Sequence, residues 1–212
     1  MKKDSAQQKF WTSKSGEEYT DRNIFNPESL DKIYLEYYGI TRTAMNDDFL
    51  RGLNIANILE VGCNMGSLLQ LLQKQGFQNL VGIDTQNYAI ELAEKNSSDI
   101  DYRVGSAFEL PFTDSSFDLV FTSGVLIHIS PKDVRDAMAE IYRVSKKYIW
   151  GFEYFSETHQ EIEYRGHKDR LWKSNFAKLY REYFPDLVLV RERKFKYLSN
   201  DNIDQMFLFK KP

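Results

Sequence analysis

The feature that most constrains this chain is a strand, turn and helix punctuated by glycine. The apolar run Ile58-Leu59-Glu60-Val61 meets Gly62-Cys63-Asn64-Met65-Gly66 and passes at Ser67 into Leu68, Leu69, Leu71 and Leu72. Gly62 and Gly66 permit a tight turn and a close approach of backbone to a ligand. Asn64 reaches the left-handed conformation almost as readily as glycine. Such a loop, with a helix start behind it, predicts a polar cradle at the C-terminal edge of a parallel sheet. A pyrophosphate-binding fingerprint requires G-x-G-x-x-G. Gly62-x-Asn64-x-Gly66, with Glu60 two residues ahead, departs from that spacing and argues against a dinucleotide oxidoreductase.

The rest of the chain supplies the sheet that this turn needs. Strands are expected at 56–61, 80–84, 100–104, 117–122 and 147–154. Helices are expected at 67–74, at 88–95, and from Pro131 to about Val144 with Ser130 as N-cap. Short apolar strands alternating with amphipathic helices read as a mostly parallel sheet covered on both faces. A helix over 172–184 is stopped by Pro185, and strands follow at 187–196 and 205–210. Their connection is too short for a parallel crossover, so they form an antiparallel pair. Residues 157–170 are polar and aromatic without clear periodicity. Residues 1–26 are polar with scattered aromatics, and helices follow from Pro27 through Tyr38 and over about 41–51. The expected organisation is an N-terminal helical flank or lid over 1–55 and one domain over 56–212, carrying an acceptor-site insertion around 153–172.

Composition narrows the function classes. The chain has 212 residues, enough for one sizeable domain. Lys plus Arg number 28 against 31 Asp plus Glu, a net charge of −3, which gives no support for a nucleic-acid binder. Cys63 is the sole cysteine, so neither an intrachain disulfide nor a Cys-rich metal site is possible. Three separated histidines and no clear carboxylate cluster lead us to expect no metal. No apolar run approaches the roughly 20 residues of a membrane span, and the opening MKKDSAQQKFW lacks the apolar core of a signal peptide. A cytoplasmic protein without membrane insertion is expected, as monomer or homodimer. Aromatics at 15 % are dense; buried packing can use many of them, and a pocket of polar-tipped rings can too.

Two further loops carry chemistry. Asp84 ends the strand Leu80–Asp84, where a carboxylate can accept from both hydroxyls of a ribose; its plainer role is a helix cap. Gly105-Ser106-Ala107-Phe108, after the next strand, is placed to pass beneath an adenine. With these residues, and with Phe117-Asp118-Leu119-Val120 leading to Leu126-Ile127-His128-Ile129, the chain resembles the class I S-adenosylmethionine-dependent methyltransferases over about residues 56–211. The resemblance implies an α/β, Rossmann-like, seven-stranded sheet, with S-adenosylmethionine as cofactor and S-adenosylhomocysteine as product. It implies that Glu60, Gly62, Cys63, Asn64 and Gly66 hold the methionine portion. Asp84 and Thr85 would hold the ribose, Ser106, Ala107 and Phe108 the adenine, while Ser123 and Gly124 flank the sulfonium. Asn64 stands where the family usually has Gly, and Ser106 where Asp is frequent. Phe10-Trp11, Gly16-Glu17-Glu18-Tyr19-Thr20, Arg22-Asn23 and Tyr164-Arg165-Gly166-His167-Lys168-Asp169-Arg170-Leu171 are similar to the methylases associated with pseudaminic acid biosynthesis. That implies a small acceptor in surface-glycan biosynthesis, a nonulosonic acid or related activated sugar, methylated on a hydroxyl or amine.

The acceptor is expected past the end of the strand that closes on Glu153-Tyr154-Phe155. Arg165 and Arg170 can clamp a carboxylate or phosphate, with Tyr154 and Tyr164 beside them. His167 can take a hydroxyl proton, and His128 and Glu153 are rival bases. The plainer roles are a solvated charge run, a turn-capping His128 and an Arg-paired Glu153. Tyr19 and Arg22 are placed to close over the cofactor from the flank. Methylation of a protein or lipid-linked glycan, or cofactor binding without catalysis, are the alternative readings. The first predicts an open acceptor face, the second binding without methyl consumption.

Overall fold

A computed structural model describes residues 6–212; the opening residues of the signal-peptide argument lie partly outside them. Seven strands form one sheet: β1 (Ile58–Val61), β2 (Leu80–Asp84), β3 (Asp101–Val104), β4 (Phe117–Ser123), β5 (Ser145–Tyr154), β8 (Val188–Lys196) and β9 (Ile203–Lys210). Two more, β6 (Gln160–Tyr164) and β7 (His167–Lys173), form a separate antiparallel hairpin. The large sheet runs β3-β2-β1-β4-β5-β9-β8. β1 pairs in parallel with both β2 and β4, so the strand order reverses there, and a crevice opens beyond the strand ends. β9 inserts antiparallel between β5 and β8. This is the expected mostly parallel sheet with an antiparallel pair at one end.

Alternation along the strands builds a core on each face. On β4, Leu119 and Phe121 face one way and Val120 the other. The first pair packs with Met45 and Phe49 of α4 (Arg42–Leu50), Leu69 and Leu72 of α5 (Ser67–Lys74), and Ile90 and Ala93 of α6 (Asn87–Asn96). Val120 packs with Met138 and Ile141 of α7 (Val134–Val144) and Tyr180 of α8 (Phe176–Tyr183).

Three local expectations are corrected, and the expected helical flank gains detail. The described residues of the polar stretch 1–26 contain two helices, α1 (Ala6–Trp11) and α2 (Lys14–Arg22), ahead of α3 (Pro27–Tyr38). Their apolar anchoring comes from distant parts of the chain, which local periodicity cannot show. α7 starts at Val134, not Pro131: Ser130 contributes its carbonyl, not its hydroxyl, to the N–H groups of Asp133 and Val134. Residues 157–170 hold most of the β6–β7 hairpin. The helix expected from Trp172 begins at Phe176, because β7 runs to Lys173 and the Asn175 side chain caps the Lys178 N–H at 3.0 Å. Among the described residues no helix is long and apolar enough to cross a membrane.

Candidate active site

Three loops at the C-terminal edge of the sheet build the site. After β1, Gly62 (φ 78°), Asn64 (φ 49°) and Gly66 (φ 78°) turn the chain into α5. A Cβ on Gly62 would lie 2.5 Å from Val125 Cγ2, and one on Gly66 2.1 Å from the Tyr102 hydroxyl. The turn is tied to β2, since the Gly62 and Cys63 N–H groups both donate to the Ile83 carbonyl, at 2.7 and 3.0 Å. Asp84 secures it further, accepting from the Asn64 and Gln86 N–H groups at 2.8 and 2.9 Å. Burial raises the Asp84 carboxyl above the usual range, against the pull of the main-chain N–H groups of Gln86, Asn64 and Thr85. A carboxylate has about four acceptor positions, so capacity remains for a ligand hydroxyl.

These loops wall a cleft of about 870 Å³ including its mouth. Asp84, Thr85, Ser106, Ala107 and Phe108 line one end, and Ser123, Gly124 and His128 the other. The N-terminal helices close it. Gln8 Nε2 donates to Ser106 Oγ at 2.8 Å, Thr20 Oγ1 to Asn64 Oδ1 at 2.8 Å, and Gln86 Nε2 to the Trp11 carbonyl at 3.0 Å. Trp11, Gln8, Thr20 and Gln86 were not among the expected site residues, because nothing local in a polar segment tells which sheet edge it will cover. Of the two expected flank residues, Tyr19 lines this cleft and Arg22 the next one.

A second cleft, of about 1670 Å³ with its mouth, adjoins the first and shares Tyr19, Gly62, Asn64, Ser123, Gly124 and His128 with it. Glu60, Cys63, Tyr154, Tyr164 and Arg165 line it. So do Tyr34, Tyr38, Tyr197 and Asp204, which sequence reasoning missed. The three tyrosines read as helix-face or loop packing, and a lone Asp entering a strand carries no signal. Cys63 is buried, and burial pushes its thiol well up, so it is no nucleophile.

His128 sits where the clefts meet, on the turn Leu126–His128. Its Nδ1 lies 2.8 Å from the Arg170 carbonyl. A carbonyl only accepts, so Nδ1 carries the proton and Nε2 keeps its lone pair. Burial lowers the imidazole to about 4, against that hydrogen bond, leaving it neutral at physiological pH. Trp11 and Tyr164 hold the ring, with centroids at 4.5 and 5.4 Å.

Other expected residues lie elsewhere. His167 is exposed on β7, edge-on to Phe10 at 5.2 Å, and lines neither cleft. Arg170 stacks over Phe10 at 5.1 Å, so it does not form one clamp with Arg165. Glu153 is 1 % exposed and accepts from the Val125 and Ile127 N–H groups at 3.3 and 3.4 Å, which makes it the buttress of the His128 turn rather than an open base. Burial raises its carboxyl to about 7, against those hydrogen bonds. Gly66 caps α5 behind the cleft wall.

The donor set fits S-adenosylmethionine. The first cleft supplies an acceptor carboxylate at Asp84 and ring packing at Phe108. Glu60, 2 % exposed, leaves Oε2 without a hydrogen-bond partner among the described residues and lines the adjoining cleft, as an ammonium-binding group would. No group of His, Cys, Asp and Glu among the described residues could hold a metal ion.

Comparison with known proteins agrees with this geometry. Residues 59–148 match the family model of a methyltransferase domain. O-methyltransferase rstn1 of Aspergillus nomiae is 29 % identical over 125 residues, 56 % of this chain and 54 % of that one. A demethylmenaquinone methyltransferase of Lactobacillus johnsonii is 35 % identical over 96 residues, 42 % of this chain and 38 % of that one. The chain thus spans about half or less of the length of these curated relatives. A putative methyltransferase of Haloferax volcanii, solved with the Trm112 activator, superposes with TM-score 0.70 at 16 % identity, covering 98 % of both chains. Magnesium protoporphyrin IX methyltransferase of Synechocystis, solved with bound cofactor, gives 0.67 at 13 %, covering 97 % of this chain and 95 % of that one. By its strand order, its glycine turn and these likenesses, the chain has the Rossmann-like fold of the class I S-adenosylmethionine-dependent methyltransferases.

Proposed function

We propose that this protein transfers a methyl group from S-adenosylmethionine to a hydroxyl or amine of a small acceptor, a nonulosonic acid or related activated sugar of surface-glycan biosynthesis. The observation that carries methyl transfer is the junction of two clefts at Ser123, Gly124 and His128. One cleft fits an adenosine and the other, lined by tyrosines, leaves room for an acceptor. The sugar acid rests on the likeness of the flanking segments to the pseudaminic acid-associated methylases and on Arg165 at the rim, which offers a planar cation to a carboxylate or phosphate.

In this reading Asp84 and Thr85 hold the ribose, and Ser106, Ala107 and Phe108 hold the adenine. Glu60 and the Gly62–Asn64 turn hold the methionine portion, and Tyr19 covers it. The cofactor supplies a methyl carbon on a sulfonium, and its thioether leaves with the bonding electrons. An acceptor oxygen forms the new bond to that carbon, and its proton passes to His128 Nε2. A weak base suffices, because the hydroxyl becomes strongly acidic as the carbon–oxygen bond forms. Alignment and exclusion of water supply much of the remaining rate.

The test is incubation with labelled S-adenosylmethionine and a panel of nonulosonic acids, their nucleotide-activated forms and their precursors. Label transfer to one of them supports the reading. Transfer only to a protein or lipid-linked glycan moves the acceptor class, and binding without turnover on any acceptor removes the catalytic reading.

A further inference from the structure

The inner corner of the second cleft carries a charge that the reaction does not use. Asp204, at the start of β9, is 2 % exposed and lines the cleft. It accepts a hydrogen bond from the Tyr38 hydroxyl, and the Tyr197 hydroxyl lies against it. The Tyr197 hydroxyl is also 3.3 Å from that of Tyr154. The rings enclose the carboxylate: Tyr38 and Tyr197 meet edge-on at 4.8 Å, Tyr154 and Tyr197 at 6.2 Å. Among the described residues no Lys or Arg forms an ion pair with Asp204. Lys173 Nζ donates to Asn202 and lies 5.6 Å from the Tyr154 centroid, and the positive charges of Lys173 and Arg42 act on Asp204 only from a distance. Burial raises the Asp204 carboxyl to about 6, yet at neutral pH it still carries charge.

A buried carboxylate with no cation in direct contact is costly. Hydroxyl donors offset part of that cost, and a carboxylate set among aromatic rings is an arrangement that can receive a positive nitrogen. We propose that this corner is the specificity pocket of the acceptor cleft and that it takes an ammonium group, so that the preferred acceptor is an amine-bearing sugar anchored by Asp204 beside the rings of Tyr38 and Tyr197. The assignment rests on the methyl-transfer reading for the word acceptor, but the ammonium preference is measurable without turnover. Asp204 is a binding residue here; no proton transfer is assigned to it.

The experiment titrates the full chain, saturated with S-adenosylhomocysteine, with three sugars that share one ring: glucosamine, N-acetylglucosamine and glucose. Calorimetry at neutral pH is expected to show glucosamine binding about tenfold tighter than the other two, the scale of one charge-assisted hydrogen bond. Asp204→Asn keeps an oxygen for the Tyr38 hydroxyl, and in it the preference is expected to vanish. Equal binding of all three to the unaltered chain overturns the proposal, as does tighter binding of glucose, which would mark a hydroxyl pocket. Failure of glucosamine to bind, or a preference that survives Asp204→Asn, overturns it too. Failure of the chain to bind S-adenosylhomocysteine strikes the methyl-transfer reading instead. The same three titrations on the unloaded chain then decide the ammonium preference by the same outcomes.

Discussion

Single side chains divide the labour at this site between holding and reacting. Asp84 holds, and it does so twice, since the carboxylate that faces the cleft also ties the glycine turn to β2. Asp84→Ala is expected to weaken S-adenosylhomocysteine binding by at least about tenfold, from the lost acceptor and from the released Asn64 N–H. Calorimetry checks it, and an unchanged Kd would remove the ribose assignment. His128 reacts. Replacement by Ala is expected to lower kcat on a hydroxyl acceptor by about 10²-fold or more, the usual scale for a lost general base. Its imidazole, lowered by burial to about 4, is unprotonated through the neutral range, so protonation of His128 itself should lower kcat only as pH approaches about 4. The same shift acts on stability. The unfolded histidine, with pKa near 6.5, binds protons that the folded one refuses. The His128 contribution is therefore full above about pH 6.5 and is lost as pH falls toward 4. Urea unfolding midpoints of the wild type and His128→Gln between those two pH values measure the difference.

At the scale of elements, the site is assembled by turns that are pinned from behind. The turn bearing His128 rests on Glu153, whose carboxyl accepts two of its main-chain N–H groups. Glu153→Ala leaves those donors buried and unpaired, and should cost about 2 kcal/mol or more of stability in urea melts. The conservative Glu153→Gln keeps one acceptor and should lose less. This explains how the sequence could be read well in one place and poorly in another. The run from Ile58 to Leu72 was legible because its signals are local: an apolar strand, residues tolerating positive φ, and an apolar helix. Asp84 was legible by its distance from Gly62. Glu153 carried no such mark, because a carboxylate that supports a turn and one that attacks a proton look alike in sequence. Residues 157–170 resisted for another reason. The β6–β7 hairpin turns at Arg165 and Gly166, both at positive φ, and its alternation is masked by charges and rings on both sides. His167 and Arg170, read there as base and clamp, bind the N-terminal helix through Phe10 instead. No local pattern could reveal a partner more than 150 residues away.

Across the whole molecule, the two ends of the sheet have separate duties. Both clefts open at the C-terminal ends of the parallel strands, while the opposite end of the sheet is secured by a polar knot. There Asp118, buried at the start of β4, accepts from the Ala56 N–H and from Lys147 Nζ, each at 2.9 Å. Burial alone would raise the Asp118 carboxyl, but hydrogen bonds from Lys147 and Ala56 outweigh it and hold the group below the usual range. The folded state thus binds this proton more weakly than the unfolded chain does. The stabilisation is present above the unfolded pKa of about 3.9 and disappears as pH falls through the lower folded value. Asp118→Ala should cost about 1–3 kcal/mol of stability at neutral pH, from an unpaired Ala56 N–H and from a Lys147 left with only the Asn54 carbonyl. Because the knot lies a full strand length from Ser123 and Gly124, S-adenosylhomocysteine affinity at a temperature where the variant remains folded should match the wild type. Urea unfolding and calorimetry on the same preparation decide it. Equal losses of stability and affinity would mean that strain travels along β4 from one edge to the other, and that the two ends are not independent.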